Sequence, residues 1–249
     1  MEEIQQENGV LTLLHASTHW CNDIGYLFEP LGESTVLEET LRRVKAAKWG
    51  KRFTLLTTLS DEDYPLRKFC WKHNIAYVAH SNSNSLEAML TCARLHSASI
   101  VVRCYANQTF LSPRMLDASV SWALSSEMDY VVVSRLPVGV PAEAFSIHTL
   151  ERLAQRGMSL EEAQKKHLLQ RDSPDFDCAY LPAPLHWRRP ELRFTLENAG
   201  DYDAFQQIYA EVPQRQDGLH AFEDLLLYLD RNPSLKRRLQ APPPLPLAA

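Results

Sequence analysis

The sequence predicts an α/β fold, a mainly parallel mixed sheet with helices on both faces. Two observations carry that prediction. Short apolar runs alternate with helical stripes of apolar residues across the first 133 residues, and capping residues punctuate the boundaries. Strand–helix alternation at this pitch builds a parallel sheet with right-handed crossovers, and ligands of such sheets bind beyond the carboxyl ends of the strands.

The elements follow in order. Residues 10–14 (VLTLL) read as a buried strand, and a loop runs from 15 to 32. Thr35 and Glu38 form a capping-box pattern ahead of Val36, Leu37, Leu41 and Val44 at helical spacing. Residues 53–57 are the next strand. Asp63 and Pro65 open a helix carrying Leu66, Phe69 and Cys70 that ends near Asn74. Strands over 75–78 and 99–103 flank a helix with the stripe Leu86, Met89, Leu90 and Ala93. Ser112 and Pro113 start a helix that leads to a strand over 130–133.

The second half is less regular. Ser146 caps a helix through Arg156, and Ser159 with Glu162 caps another. Residues 178–181 and 192–196 read as strands, and 201–211 and 220–230 as helices. The loops that matter for ligand binding are 15–32, 59–63, 80–85 and 104–111. The expected organisation is a flexible segment over 1–9, one α/β domain over 10–239 and a disordered proline-rich tail, 240–249.

Composition narrows the function classes. The net charge of −5 argues against nonspecific nucleic-acid binding, which needs a basic face. No apolar run is long enough to span a membrane, and MEEIQQENG resembles neither a signal nor a transit peptide, so the chain reads as cytoplasmic. Five scattered cysteines without a CxxC pair read as reduced, mostly buried thiols. Residues 1–41 contain no Lys or Arg but carry Asp23 and seven glutamates. His15 and His19 stand four apart in the first loop without HExxH or a third ligand at zinc-site spacing. With eight glycines in the chain and no GxSxG or P-loop, glycine-rich phosphate cradles are absent.

Several stretches carry a family likeness: 57–81 (TTLSDEDYPLRKFCWKHNIAYVAHS), 99–117 (SIVVRCYANQTFLSPRMLD), 137–153 (PVGVPAEAFSIHTLERL) and 192–212 (LRFTLENAGDYDAFQQIYAEV). LTLLHAS and EPLGESTVLEETLRRV complete it at the amino end. On these the chain resembles the cytidylyltransferases of spore-coat polysaccharide biosynthesis, related to the enzymes that activate keto-deoxy-octulosonic and sialic acids. The resemblance spans roughly residues 10–212. It implies a nucleotide-diphospho-sugar transferase (GT-A-like) fold, a nucleotide or sugar ligand, Mg²⁺ if the protein is active, and a possible homodimer.

The same resemblance places the site. The family's first loop, like QARxGSxRLPGK, here reads HASTHWCNDIGY. The expected arginines fall on Ser17 and Asn22 and the expected lysine on Tyr26; Ala16 and Gly25 survive. His15, His80 and Ser81 join these as candidate nucleotide-binding positions. The metal-binding Asp falls on Asn107, a second Asp on Ser112, and a DG pair on Val138 and Gly139. The late VDT triplet becomes Leu196, Glu197 and Asn198, which makes Glu197 the weak candidate metal ligand. Arg103 and Glu143 are retained, so Arg103, Asn107 and Glu197 are the candidate catalytic residues, and Glu143 and Gly139 the candidate substrate contacts. Nucleotidyl transfer sets a polyanionic triphosphate beside carboxylates, which needs Mg²⁺ and Lys/Arg to neutralise it. The substitutions remove that chemistry. Three readings stand: a catalytically impaired relative that binds a ligand or partner, an active nucleotidyl- or glycosyl-type transferase with a site rebuilt from Glu197, Glu143, Arg103 and His15 or His19, and an unrelated α/β binding protein.

Overall fold

The structure is a computed structural model that describes residues 9–19, 21, 23–81 and 84–241. Most of the flexible-segment expectation for 1–9, and that for the tail from 242 onward, lie outside these residues.

Strand β1 (Val10–His15) is buried at every position, because both faces of a central parallel strand are covered. The chain then crosses through a 3₁₀ turn (Ile24–Phe28) and a two-residue ribbon, β2 (Pro30–Leu31) with β3 (Ser34–Thr35), into helix α1 (Val36–Ala46). Glu38 and Thr35 close the capping box in both directions. Next come β4 (Phe53–Thr58), α2 (Tyr64–Lys72), β5 (Tyr77–His80), α3 (Ser85–Leu95), β6 (Ile100–Tyr105), α4 (Pro113–Ser126) and β7 (Tyr130–Ser134). Then β8 (Glu143–Ser146), α5 (Ile147–Gln155), α6 (Leu160–Lys165) and β9 (Cys178–Pro182) precede three helices, α7 (Ala199–Glu211), α8 (Phe222–Arg231) and α9 (Pro233–Arg238).

One seven-stranded sheet runs β5-β4-β1-β6-β8-β7-β9. All neighbours pair parallel except β8, which is antiparallel to both β6 and β7. Helices cover both faces, as the sequence predicts. The period of two along each strand divides the core. Val10 and Leu14 face α1, α4 and the carboxyl-terminal helices, whereas Leu11 and Leu13 face α3, α5 and α6. His15 therefore falls on the α3/α5 face, opposite Tyr105 of β6 and on the same face as Arg103.

The structure corrects four expectations. Residues 192–196 are no ladder strand: they form an extended strap held by isolated bridges from Arg193 to Val138 and from Leu192 to Gln240. A segment that pairs one residue at a time has the alternation of a strand without a ladder. Strand β8 has no counterpart in the expected elements, because four residues (EAFS) are too short for a periodicity signal. The strand expected at 75–78 lies at Tyr77–His80, so His80 ends a strand rather than opening a loop. His15 likewise ends β1 and is fully buried instead of sitting in the loop. No helix among the described residues is long and apolar enough to cross a membrane.

Candidate functional site

The carboxyl ends of β1, β4 and β6 are adjacent in the sheet, which brings their loops together. The Ala106 amide donates to the His15 carbonyl at 2.9 Å, and the Cys21 thiol donates to the same oxygen at 3.5 Å. The first loop and residues 104–111 thus meet at one edge. The first loop folds on its own backbone, with the Cys21 amide donating to the Ser17 carbonyl at 2.9 Å. Buried Asp63, at the start of α2, reaches back to it: its Oδ1 accepts the Thr18 amide at 2.9 Å, and its Oδ2 accepts the Thr58 hydroxyl. Asp23 accepts the Gly25 amide at 2.7 Å and so caps the 3₁₀ turn. The described part of this loop holds carboxylates and no Lys or Arg. Burial pushes the Cys21 thiol up to about 11, so it stays protonated.

Ala16 and Ser17 are buried; the Ala16 amide donates to the Leu56 carbonyl, and the Ser17 hydroxyl accepts the His19 amide. Tyr26, at the expected lysine position, packs its ring against Tyr202 at 5.7 Å. Asn22 lies outside the described residues. His80 sits at the end of outer strand β5, where its carbonyl accepts the Leu59 amide, and Ser81 beyond it is exposed. Both stand two strands away from β1.

Arg103 and Glu143 are direct partners in the antiparallel β6–β8 register. Arg103 Nη2 is 2.6 Å and Nε 2.8 Å from Glu143 Oε2. The Tyr130 hydroxyl donates to Oε1 at 2.7 Å and Gln164 adds a contact at 3.2 Å. Burial alone would weaken the guanidinium's hold on its proton, but the facing carboxylate outweighs it and keeps Arg103 above its ordinary value. Glu143 in turn, after burial, holds the Tyr130 phenol well above its usual range. Burial, then Arg103, drives the His15 imidazole well below 6.5, so His15 is neutral and supplies no fixed cation. Its ring lies 5.4 Å from that of Tyr105.

The strap passes beside these loops. Asn107 exchanges two hydrogen bonds with Leu196: the Leu196 amide donates to the Asn107 carbonyl at 3.0 Å, and Asn107 Nδ2 donates to the Leu196 carbonyl at 3.2 Å. Glu197, the next residue, is brought to the same edge. Its carboxylate accepts the Thr195 hydroxyl at 2.7 Å and lies 3.6 Å from Arg193 Nη1, with 39% of the side chain exposed. Arg193 itself clamps Asp201 through both oxygens at 2.8 and 2.7 Å, and Asp201 Oδ2 also accepts the Glu197 amide. Gly139 sits at φ +88°, and a Cβ there would stand 2.8 Å from the Phe194 carbonyl, so glycine alone fits the point where the strap crosses the 137–140 turn. Ser112 caps α4.

The structure thus gathers Ser17, Asn107 and the Leu196–Glu197 peptide at one edge. It joins Arg103 to Glu143 on the α3/α5 face. Asp63, Arg193 and Tyr130 carry much of the site's hydrogen bonding without standing out in the sequence, and Asp201, a carboxylate the sequence places at a helix start, joins them. Asp63 and Asp201 carry only helix-start signals in the sequence, and no local pattern marks a carboxylate that reaches another loop. Arg193 and Tyr130 carry no signal at all.

No family model matches the sequence. The chain is 22% identical over 241 residues to the spore coat polysaccharide biosynthesis protein SpsF of Bacillus subtilis, covering 94% of this chain and 99% of that one. It is 24% identical over 210 residues to an uncharacterized protein of Methanocaldococcus jannaschii, covering 83% and 84%. Among solved structures it is similar to a cytidylyltransferase from Leptospira borgpetersenii, with TM-score 0.78, 19% identity and coverage of 92% and 96%. A CMP:2-keto-3-deoxy-manno-octonic acid synthetase complexed with CTP matches at TM-score 0.57 and 9% identity, over 81% and 98% of the chains. Rv0371c of Mycobacterium tuberculosis in complex with manganese also matches at TM-score 0.57, with 17% identity over 80% and 98%. In its fold, and in the order of its segments, the chain resembles the cytidylyltransferases, with the spore-coat polysaccharide protein as a relative along nearly its whole length.

Proposed function

We propose that this chain is a cytidylyltransferase-like protein of surface-polysaccharide or glycan biosynthesis that binds a nucleotide or sugar ligand at the β1–β6 edge without transferring a nucleotidyl group. The observation that carries this reading is the commitment of the cations around the first loop. Arg103 is held by Glu143, Arg193 by Asp201, and Arg67 donates to the carbonyls of Thr58 and Ser60. Asp23 and Asp63 face the same region with their negative charges. A triphosphate there meets carboxylates and backbone dipoles, not a neutralising cluster. Losing one preorganised electrostatic group of a transferase site costs about 3–4 kcal/mol in the transition state.

The divalent cation implied by the fold finds a poor donor set. Mg²⁺ and Mn²⁺ need several convergent oxygens, carboxylates first. Asn107 brings no charge, and its amide is engaged with Leu196; Asp201 is consumed by Arg193; Glu197 is shared between Thr195 and Arg193. Among the described residues no group of three His, Cys, Asp or Glu side chains is placed to hold a metal ion. Glu197 remains the acid best placed to touch a ligand, through its exposed oxygen.

The test is thermal unfolding with CTP, with Mg²⁺ and with both, alongside a pyrophosphate assay and a nucleotide-sugar binding screen. A site of ~10 μM affinity at ~1 mM ligand gains about 2.7 kcal/mol, a melting shift of roughly 5–10 °C in a domain of this size. The expected outcome is no shift that needs both Mg²⁺ and CTP, no pyrophosphate, and a metal-independent ligand in the screen. A shift of several degrees that requires both components, or pyrophosphate release, overturns the non-catalytic reading. An empty screen overturns the ligand-binding part.

A further inference from the structure

The sheet has two edges, and the chain treats them differently. A bare edge strand offers unpaired N–H and C=O groups to any strand that meets it. On β9 that edge is closed: Arg171 Nη2 donates to the Tyr180 carbonyl at 2.9 Å, the Tyr180 hydroxyl holds the same segment through the Leu169 carbonyl, and Pro182 ends the strand. On the opposite side β5 is outermost, and among the described residues no strand pairs with its far side. Its parallel register sets Leu55 beside Tyr77 and Thr57 beside Ala79; the Leu55 amide donates to the Ala76 carbonyl and the Leu59 amide to the His80 carbonyl. Backbone groups alternate sides along a strand, so residues 76, 78 and 80 bond to β4, and the amides and carbonyls of Tyr77 and Ala79 point out of the sheet.

The helix above this edge is also unpartnered on one flank. α2 packs on β4 and β5 through Leu66 and Cys70, and Phe69 and His73 line its groove with α1. Tyr64 and Trp71, seven residues apart, share a stripe on the flank away from α1. They are 58% and 83% exposed. Val78 packs toward α3, so Tyr77, next to it in the strand and 40% exposed, lies on the α2 face beside them. Charges sort along the same helix. Asp61 and Glu62 stand at its amino end, Lys68 and Lys72 toward its carboxyl end, and all four are exposed. None of the four forms an ion pair with another described residue.

We infer that β5 is the contact surface for a second copy of this chain, joined antiparallel about a two-fold axis through Val78. The outward-pointing residues fix the register. Tyr77 of one protomer and Ala79 of its partner exchange both backbone hydrogen bonds, and the two Val78 residues face each other between these pairs. A large ring then stands across from a methyl group, and no like charges are opposed. The same axis sets α2 antiparallel to its mate. Trp71 of one protomer lies toward Tyr64 of its partner, and Lys72 toward Asp61 and Glu62. The acid-to-base order of the helix is therefore self-complementary, as a two-fold contact requires, and this selects a second copy over an unrelated strand. The contact is independent of the ligand reading of the first-loop edge.

A four-residue strand makes a small interface, so a dissociation constant of about 1–100 μM is expected. Sedimentation velocity across roughly that range, with hydrogen exchange at the Tyr77 and Ala79 amides, tests it. The mass is expected to rise from one copy to two with concentration, and both amides to slow with it. Ala79→Pro removes an outward N–H that serves no ladder bond inside the chain; it is expected to keep the melting temperature and abolish the dimer. Trp71→Ser, on the surface, is expected to fold normally and weaken the dimer about tenfold, which keeps the contact testable if the proline variant misfolds. Lys72→Glu should weaken it several-fold, and adding Glu62→Lys should recover part of the loss. A monomer throughout overturns the inference. So does a dimer unchanged by Ala79→Pro and Trp71→Ser, which places the contact on another face. A dimer weakened by Trp71→Ser but indifferent to a folded Ala79→Pro rests on the helices alone and overturns the strand pairing.

Discussion

Restoring the family carboxylate at position 107 should damage this protein instead of reviving it. Asn107 is 6% exposed, and its Nδ2 donates to the Leu196 carbonyl at 3.2 Å. Asn107→Asp replaces that donor with an anionic oxygen facing a carbonyl lone pair. The lost hydrogen bond costs about 1 kcal/mol, and the unpaired, largely buried charge adds roughly 1–3 kcal/mol. The total of about 2–4 kcal/mol corresponds to a melting temperature lower by roughly 5–12 °C. The new carboxyl would have a folded pKa above the unfolded ~3.9, because its charged form is the one penalised. Stability is therefore lost as pH rises through the folded value, and the penalty relative to the wild type should fade below about pH 4, where the acid is protonated and donates to Leu196 again. Urea unfolding of both proteins between pH 4 and 8 measures this. Equal stability at pH 7, or a variant stabilised by Mg²⁺, would show that the edge still accommodates a metal-binding carboxylate and would refute the account of Asn107 as a tie to the strap.

Other outcomes follow from the same geometry. Arg103→Met leaves the half-buried Glu143 without its partner and should cost about 2–4 kcal/mol, while Arg103→Met combined with Glu143→Gln should recover much of it; a chemical-denaturation cycle reads the coupling. Gly139→Ala forces a Cβ against the Phe194 carbonyl at positive φ, so a loss of at least about 1–3 kcal/mol is expected in the same assay, and an unchanged midpoint would dismiss the crossing as tight. His15 is buried and neutral with its pKa depressed, so its contribution to stability is present above the unfolded value near 6.5 and is lost as pH falls. His15→Gln should flatten the fall in stability below about pH 6.5, and an unaltered slope would locate that titration in another group.

Local sequence determined most of the secondary structure. The helix starts at Thr35, Ser112, Ser146 and Ser159 are legible because capping is a contact between residues three apart. The central strands are legible because burial on both faces leaves a continuous apolar run. The missing cations of the first loop are also a local fact, visible in the residues themselves. What each remaining charge does was decided by tertiary structure. Arg103 looks like a free catalytic cation until β8, a strand of four residues, pairs antiparallel to β6 and sets Glu143 opposite it. The strap at 192–196 alternates like a strand, yet it meets Val138, Asn107 and Leu239 through isolated backbone contacts and no continuous ladder, which period alone cannot distinguish. Asp63 shows the same divide. Its side chain acts on a residue far away in the chain, and the electrostatics of a charge depend on burial and partners that exist only once the sheet and its helices have closed around it.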